Sequence, residues 1–292
     1  MTPTLARTVF GASFQNPLLL AAGTAGFGLE LDGVIRLERL GGMVTKAVSL
    51  QPRAGNAPPR VAEFQGGMIN SVGLANPGLD AVRRDKLPWL ATHLGRAQVL
   101  VNVVGFVESE YAEVVAGLDG SQGFLGYELN LSCPNTAAGG IEFGADPIAV
   151  ARIVAACRVI TRRPLVVKIS PALPDIVAIA LAARDAGADG VSLVNTMPGY
   201  LYHRDGRTPR VGNGNGGVSG PALLPVGILA TRRVAERTGG AFPIIGVGGV
   251  TRAADVRHYL AAGAHLVAMG TACLADPRQP ERIIAELEAE HG

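Results

Sequence analysis

Eight short runs rich in Val, Ile and Leu divide this chain of 292 residues. Most are followed within a few residues by Gly, Asn, Lys or Ser, and several by an amphipathic stretch, the pattern of buried parallel strands that alternate with helices. The runs are 17–21, 43–48, 99–103, 127–131, 165–169, 190–194, 243–247 and 266–269. Eight strand–helix repeats favour an α/β fold of the (β/α)8 TIM-barrel type over a doubly wound open sheet.

The segments between the runs refine this prediction. Amphipathic patterns predict helices over 146–161, 175–186 and 253–262. Two intervals are about twice as long as the others, 50–98 and 197–242, and we expect them to be loop insertions over the C-terminal face of one domain that spans 1–292. The first insertion should form strands or loops over the barrel mouth. The second contains Gly212-Asn-Gly-Asn-Gly-Gly217, which fits G-x-G-x-x-G but follows no strand, so we interpret it as a mobile loop.

Composition excludes several classes of protein. The chain has 26 basic and 24 acidic residues, a balance that gives no electrostatic footprint for nucleic acid or an anionic membrane. Its three cysteines form no C-x-x-C pair, which argues against a disulfide framework, a bound metal or an iron–sulfur cluster on this chain. Neither a signal peptide nor a membrane-spanning run is evident, and we expect a soluble, cytoplasmic protein.

Active sites of such barrels lie at the carboxyl ends of the strands. The residues that end the runs are Ala22 to Thr24, Lys46, Asn102, Asn130 with Ser132 and Cys133, Lys168, Asn195 with Thr196, Gly246 to Gly249, and Gly270 with Thr271. The chain contains 23 arginines but only three lysines, two of which fall at these strand ends. A compact ammonium suits a position beside a cofactor.

Two glycine-rich strand ends indicate a phosphate site. Gly246-Val-Gly-Gly249 follows the seventh run, and Gly270-Thr271 follows the eighth. At these two strands, bare backbone N–H groups next to short helix starts form the usual phosphate cradle of barrel enzymes. The alternative is that the glycines only make tight turns.

The segment Asn130-Leu-Ser-Cys-Pro-Asn135 contains the candidate for acid–base chemistry. Cys157 and Cys273 fit the ordinary role of small buried hydrophobes. Cys133 lies instead in a polar setting just past a strand end, where a thiol could take a proton from a weakly acidic carbon, although an inert role is equally compatible with its position.

With this motif the chain resembles the class 1 dihydroorotate dehydrogenases, and the resemblance extends over 10–276. Asn130 to Asn135 resembles the catalytic segment, in which Cys marks class 1, and Gly139 to Pro147 resembles the NAD-linked 1B subgroup. Asn70-Ser-Val-Gly-Leu-Ala-Asn-Pro-Gly78 resembles the substrate loop, and Gly217 to Gly220 a flavin loop.

The resemblance implies one FMN per chain and assigns residues to it. The implied flavin contacts are Ala22, Lys46, Ala47, Asn102, Asn130, Lys168, Val194, Gly220, Gly248, Gly249, Gly270 and Thr271. The implied substrate contacts are Lys46, Asn70, Ser71, Val72, Gly73, Leu74, Asn130, Asn195 and Thr196. The chain departs from the family at Ala22, where Ser is common, and so lacks a hydroxyl contact to the flavin there.

The implied reaction is the oxidation of (S)-dihydroorotate to orotate in pyrimidine (UMP) biosynthesis. Cys133 would remove the C5 proton while hydride leaves C6 for the flavin, and Lys168 would lie near the flavin edge that becomes negative on reduction. The 1B resemblance further implies a partner subunit with FAD and a [2Fe-2S] cluster that reduces NAD, in a heterotetramer built on a homodimer of this chain.

Three alternatives remain open at this point. A dihydropyrimidine dehydrogenase is a similar flavin barrel, but has His where this chain has Asn135. A Schiff-base aldolase would use Lys168 as its nucleophile. A non-catalytic phosphate-binding barrel would need only the glycines.

Overall fold

A closed barrel of eight parallel strands forms the centre of the molecule in a computed structural model that describes residues 5–131, 134–135 and 141–291. The barrel strands, in spatial order, are β3 (Leu18–Leu20), β4 (Gly42–Val44), β7 (Gln98–Val103), β8 (Gly126–Asn130), β11 (Leu165–Ile169), β12 (Gly190–Leu193), β15 (Ile244–Val247) and β16 (Leu266–Met269). Pairing of β16 with β3 closes the barrel. Each of the eight apolar runs overlaps one of these strands, and the starts of run and strand differ by at most one residue, which confirms the (β/α)8 prediction.

Helices surround the barrel. They are α1 (Leu79–Ala81), α2 (Leu87–His93), α3 (Glu108–Leu118), α4 (Pro147–Ile160), α5 (Ile176–Asp185), α6 (Leu224–Thr238), α7 (Ala253–Ala261), α8 (Thr271–Ala275) and α9 (Gln279–His291). A π-helical segment, Val82–Lys86, joins α1 to α2. The three predicted helices correspond to α4, α5 and α7, with ends that differ by at most one residue.

Local sequence signals explain where two of these helices begin. The Asp146 carboxylate accepts a hydrogen bond from the Ile148 N–H, and Pro147 occupies the first helical position of α4. The Asp175 carboxylate accepts from the N–H groups of Val177 and Ala178 at the start of α5. Both caps satisfy backbone donors that lack a partner within the helix.

The barrel interior is apolar at its amino-terminal end. Its lower layers contain Leu19, Leu100, Val166, Ile245 and Leu266, all at most 1% exposed. The hairpin formed by β1 (Arg7–Val9) and β2 (Ala12–Phe14) closes that end with Val9 and Phe14. A second and larger apolar cluster lies between the strands and the helices. The apolar packing at this end leaves the polar side chains of the strands at the opposite, carboxyl end.

The two long insertions combine into one antiparallel sheet. It consists of β5 (Val61–Phe64), β6 (Gly67–Asn70), β13 (Met197–Tyr200) and β14 (Asn215–Ser219), in the order β13-β14-β6-β5. A further short pair is β9 (Pro134–Asn135) with β10 (Ile141–Glu142). The prediction of strands or loops in the first insertion is therefore confirmed.

The prediction of a mobile loop in the second insertion is wrong for its last residues. Asn215–Ser219 is a strand, and Gly217 pairs with Asn70. A Cβ on Gly217 would overlap the Thr196 side chain, so glycine is needed where the sheet meets the residues after β12. The partner strand lies about 150 residues away in sequence. The composition of the Gly-rich segment alone therefore could not indicate this strand pairing.

Within the described ranges, every helix is too short or too polar to cross a membrane.

Replacement of Gly246 by Ala should destabilise the barrel by about 1–3 kcal/mol, because a Cβ there would overlap the Tyr259 ring that packs on β15. Urea-induced unfolding followed by circular dichroism measures the loss. The matched control is Gly120→Ala, since a Cβ on Gly120 meets nothing within 4 Å. Equal stability of the two variants would contradict this packing.

Candidate active site

Polar side chains from neighbouring strands meet at the carboxyl end of the barrel. Asn130 ends β8 and lies in register with Lys168 on β11. Asn195 follows β12, and its Nδ2 donates to the Asn130 Oδ1 at 3.3 Å. The structure therefore brings together three of the predicted site residues from three consecutive strands.

A buried carboxylate that the sequence analysis did not single out lies just below them. Glu128 is 1% exposed, and its two oxygens accept hydrogen bonds from the Asn102 Nδ2 at 2.7 Å and the Ser192 Oγ at 2.6 Å. The Lys168 ammonium is 3.8 Å from Glu128 Oε1. The available signal was an acidic residue within an otherwise apolar strand, since charged groups are rarely buried unless they are paired.

Asn102 has one unused hydrogen-bonding atom. Its Oδ1 is buried and has no donor within the described part of the chain, while its backbone N–H donates to the Thr45 Oγ1 at 3.2 Å. A buried acceptor without a donor is costly unless a ligand supplies one. The Asn102 side chain is thus held through its Nδ2 by Glu128, and its Oδ1 is available to accept a hydrogen bond from a ligand.

Lys46 follows β4 at the same end of the barrel. Its backbone N–H donates to the Gly26 carbonyl at 2.7 Å, and the next residue, Ala47, is 7% exposed. Within the described ranges the Lys46 ammonium forms no ion pair, unlike that of Lys168. Lys46 therefore offers a half-buried cation to an anionic ligand.

The predicted glycine cradle borders a cavity of about 320 Å³. Its lining includes Gly220, Gly249, Gly270 and Thr271, four of the predicted flavin positions. Gly249 has a φ of 74°, and a Cβ there would lie 2.5 Å from the Leu224 backbone nitrogen. Only glycine therefore fits at this position. These four residues lie on β14, β15 and β16 or directly after them.

Three further predicted flavin positions lie around this region. Gly248 has φ of 122°, and its carbonyl accepts from the Tyr259 hydroxyl at 2.8 Å. Val194 is 2% exposed and its N–H donates to the Val247 carbonyl. Ala22, half-buried, follows β3.

The predicted substrate contacts at residues 70–74 are held by two asparagines, Asn56 and Asn76. Neither was assigned a contact from the sequence, although Asn76 lies within the segment Asn70 to Gly78 that resembles the substrate loop. The Asn56 Nδ2 donates to the carbonyl and the hydroxyl of Ser71. The buried Asn76 side chain accepts from the Ser49 and Gly78 N–H groups and donates to the Leu74 carbonyl at 2.8 Å. Their sequence signal is weak, since Asn is common in any Gly- and Pro-rich loop.

The backbone of this loop is bent at two residues. Gly73 and Leu74 both have positive φ, 72° and 56°, and the Val72 carbonyl accepts from the Asn56 N–H. Asn70 at the head of the loop donates from Nδ2 to the Gly217 carbonyl at 3.1 Å. The substrate loop is thereby joined to the insertion sheet, and Thr196 packs against the same glycine.

The cysteines divide by environment. Burial raises the pKa of Cys157 to about 12 and that of Cys273 to about 11, so neither thiol ionises near neutral pH. Cys133 lies outside the described residues. Among the residues that are described, no group of three His, Cys, Asp or Glu side chains could hold a metal ion.

Together, the glycine cradle, two lysines and a cluster of asparagines at the carboxyl end form the arrangement that is typical of phosphate-binding barrel enzymes. A family model described as dihydroorotate dehydrogenase matches residues 4–290. The chain belongs to the dihydroorotate dehydrogenase family.

Individual relatives agree on the family but not on the subgroup. A protein of Solibacter usitatus named as a dihydroorotate dehydrogenase A (fumarate) is 45% identical over 98% of this chain and 93% of its own. The dihydroorotate dehydrogenase B (NAD(+)) catalytic subunit of Citrifermentans bemidjiense is 42% identical over 98% and 92%. That of Desulforudis audaxviator is 44% identical over 96% and 90%.

Replacement of Asn76 by Ala should loosen the substrate loop, because Ser49, Leu74 and Gly78 each lose a buried hydrogen-bond partner. We expect a loss of about 1–3 kcal/mol in local stability. Hydrogen exchange should become faster in residues 70–78 but not in β7 or β11. Asn213→Ala, in an exposed turn, is the control, and unchanged exchange in Asn76→Ala would contradict the anchoring role.

Proposed function

We propose that this chain oxidises (S)-dihydroorotate to orotate, a step of pyrimidine (UMP) biosynthesis, with FMN as its cofactor. The observation that carries the proposal is the joint presence of Lys46, Asn102, Asn130, Lys168 and Asn195 at one barrel mouth, beside the glycine cradle. Membership of the family supports the same substrate. The cluster and the cradle together suit a flat, phosphorylated cofactor with a planar substrate next to it.

The residues present fit FMN on two counts. The cavity is bordered by Gly220, Gly249 and Gly270, and glycines carry no side chain that would cover their backbone N–H groups, which suits a phosphate. The orphaned Asn102 Oδ1 suits a ring N–H donor such as the flavin pyrimidine ring carries. Ala22, Lys46, Ala47, Asn130, Lys168, Val194, Gly248 and Thr271 complete the set of residues that we propose to hold the cofactor.

When bound, FMN supplies the two-electron acceptor for the substrate hydride. The role of Lys168 is electrostatic: its side chain is 7% exposed, and a fixed cation in a water-poor site stabilises negative charge that develops nearby. Lys46 has no ion-pair partner within the described ranges, so we propose that it binds the substrate carboxylate.

The substrate ring carries amide donors and acceptors, which amide side chains match best. We propose that Asn70, Asn130 and Asn195 hold them, and that Ser71, Val72, Gly73, Leu74 and Thr196 form the surrounding wall. The hydrogen bonds that Asn56 donates to Ser71 and Asn76 donates to Leu74 fix this wall in advance, which lowers the entropy cost of orienting the substrate.

Cys133 is the proposed general base that removes the C5 proton. The two described cysteines are unsuited to this role because burial raises the pKa of each well above neutral. The alternatives fit less well. A Schiff-base aldolase needs an uncharged lysine, whereas Lys168 lies 3.8 Å from a buried carboxylate, and a dihydropyrimidine dehydrogenase would carry His in place of Asn135.

The proposed electron acceptor is NAD, reached through a partner subunit that contains FAD and a [2Fe-2S] cluster. Several relatives are named as NAD-linked catalytic subunits, and the described residues offer no metal cluster of their own. We propose one barrel domain over 1–292, a homodimer core within a heterotetramer, and a cytoplasmic location. The fumarate-linked name of another relative makes fumarate the competing acceptor.

Replacement of Cys133 by Ala should retain FMN but slow flavin reduction by dihydroorotate by about 10²–10⁴-fold, the range that a positioned general base contributes. Stopped-flow absorbance of the flavin under anaerobic conditions measures the rate. The matched control is Cys157→Ala, which removes a buried thiol of high pKa and should reduce at the parental rate. Equal rates for Cys133→Ala and the parent would exclude Cys133 as the base.

The proposed acceptor predicts a dependence on the partner. With the FAD and iron–sulfur subunit present, dihydroorotate should reduce NAD, and without it NAD should remain oxidised while a synthetic dye is reduced. Steady-state absorbance of NADH measures this difference. Rapid turnover of the isolated chain with fumarate would contradict the NAD-linked assignment and favour the alternative acceptor.

A further inference from the structure

We propose that Glu128 is a positioning residue that lowers the reduction potential of the bound flavin by partly offsetting the charge of Lys168 while it holds Asn102 in place. The inference rests on the FMN binding proposed above. It assigns a role to a group that neither faces the cavity nor belongs to the predicted site residues.

The contacts of Glu128 leave neither oxygen unused. Oε1 accepts from the Asn102 Nδ2 at 2.7 Å and Oε2 from the Ser192 Oγ at 2.6 Å. The Lys168 Nζ lies 3.8 Å from Oε1. Glu128, Asn102, Lys168 and Ser192 are all at most 6% exposed, so water screens their charges little.

The position of Glu128 follows from the strand register. It pairs with Asn102 on β7, whereas Asn130, two residues further along the same strand, pairs with Lys168 on β11. Alternate residues of a strand face the same side, so Glu128 lies one layer below Asn130 inside the barrel. It therefore contacts two proposed flavin-binding residues, Asn102 and Lys168, from beneath the mouth.

The sign of the electrostatic effect is fixed by this arrangement. A cation near the flavin favours the reduced, more negative form, and a carboxylate at 3.8 Å from that cation cancels part of its field. Glu128 thus limits how strongly Lys168 favours reduction. A lower flavin potential makes onward transfer of the electrons to a further acceptor more favourable.

Two substitutions separate the effect of the Glu128 charge from the effect of its hydrogen bonds. Glutamine has nearly the same shape as glutamate. Its oxygen can accept from Asn102, and its NH₂ group can donate to Ser192 because a hydroxyl both donates and accepts. Glu128→Gln therefore removes the charge and can keep both hydrogen bonds, whereas Ser192→Ala removes one hydrogen bond and keeps the charge.

The test compares the parent, Glu128→Gln and Ser192→Ala, each loaded with FMN, by anaerobic titration against a reference dye. In Glu128→Gln, the ratio of affinities for reduced and oxidised FMN should rise by about tenfold or more, which is about 30 mV upward for a two-electron couple. In Ser192→Ala this ratio should stay within about twofold of the parent, since only a neutral donor is lost.

An unchanged or lowered potential in Glu128→Gln would overturn the proposal, as would an equal rise in both variants. If Glu128→Gln does not fold, Lys168→Met is added to it to remove the unpaired ammonium. Recovery of a cooperative thermal transition in the double variant then supports the charge pairing, and no recovery overturns it. Failure of the parent itself to bind FMN would instead refute the proposed function.

Discussion

The buried carboxylate of Glu128 is the constraint on which the upper half of the barrel depends. An acidic group at 1% exposure must be paired, because removal of its partners costs about 3–5 kcal/mol. The strands next to it provide those partners, Asn102 from β7, Lys168 from β11 and Ser192 from β12. One buried carboxylate therefore contacts polar side chains from the three other strands of a run of four consecutive barrel strands.

The mouth divides into two chemical halves. The barrel strands β7, β8, β11 and β12, with the residues that follow them, provide amides and a lysine. Strands β15 and β16, with the residues that follow them, provide glycines and Thr271. The insertion sheet contacts both halves, since Gly217 lies against the Thr196 side chain after β12 and the Thr271 hydroxyl donates to that of Ser219. The proposed phosphate site thus lies next to the proposed site for a ring with amide and carboxylate groups, the arrangement expected of a flavoenzyme that acts on dihydroorotate.

Much of the fold could be predicted from the sequence, because strands that are buried on both faces appear as apolar runs. Two helix starts are likewise marked by a capping Asp residue. The strand-end residues could be predicted as a group for the same reason. The contacts of Glu128 with Asn102, Lys168 and Ser192 could not, because the register between distant strands decides which side chains meet. The strand at Asn215–Ser219 was missed because its pairing partner, β6, lies far away in sequence.

The most direct test of the account is anaerobic titration of the FMN-loaded protein with dihydroorotate, with the visible flavin absorbance and the formation of orotate recorded together. The account predicts that the flavin absorbance is lost and that one orotate forms per flavin reduced. A protein that binds no FMN, or whose flavin is reduced by dithionite but not by dihydroorotate, would contradict it.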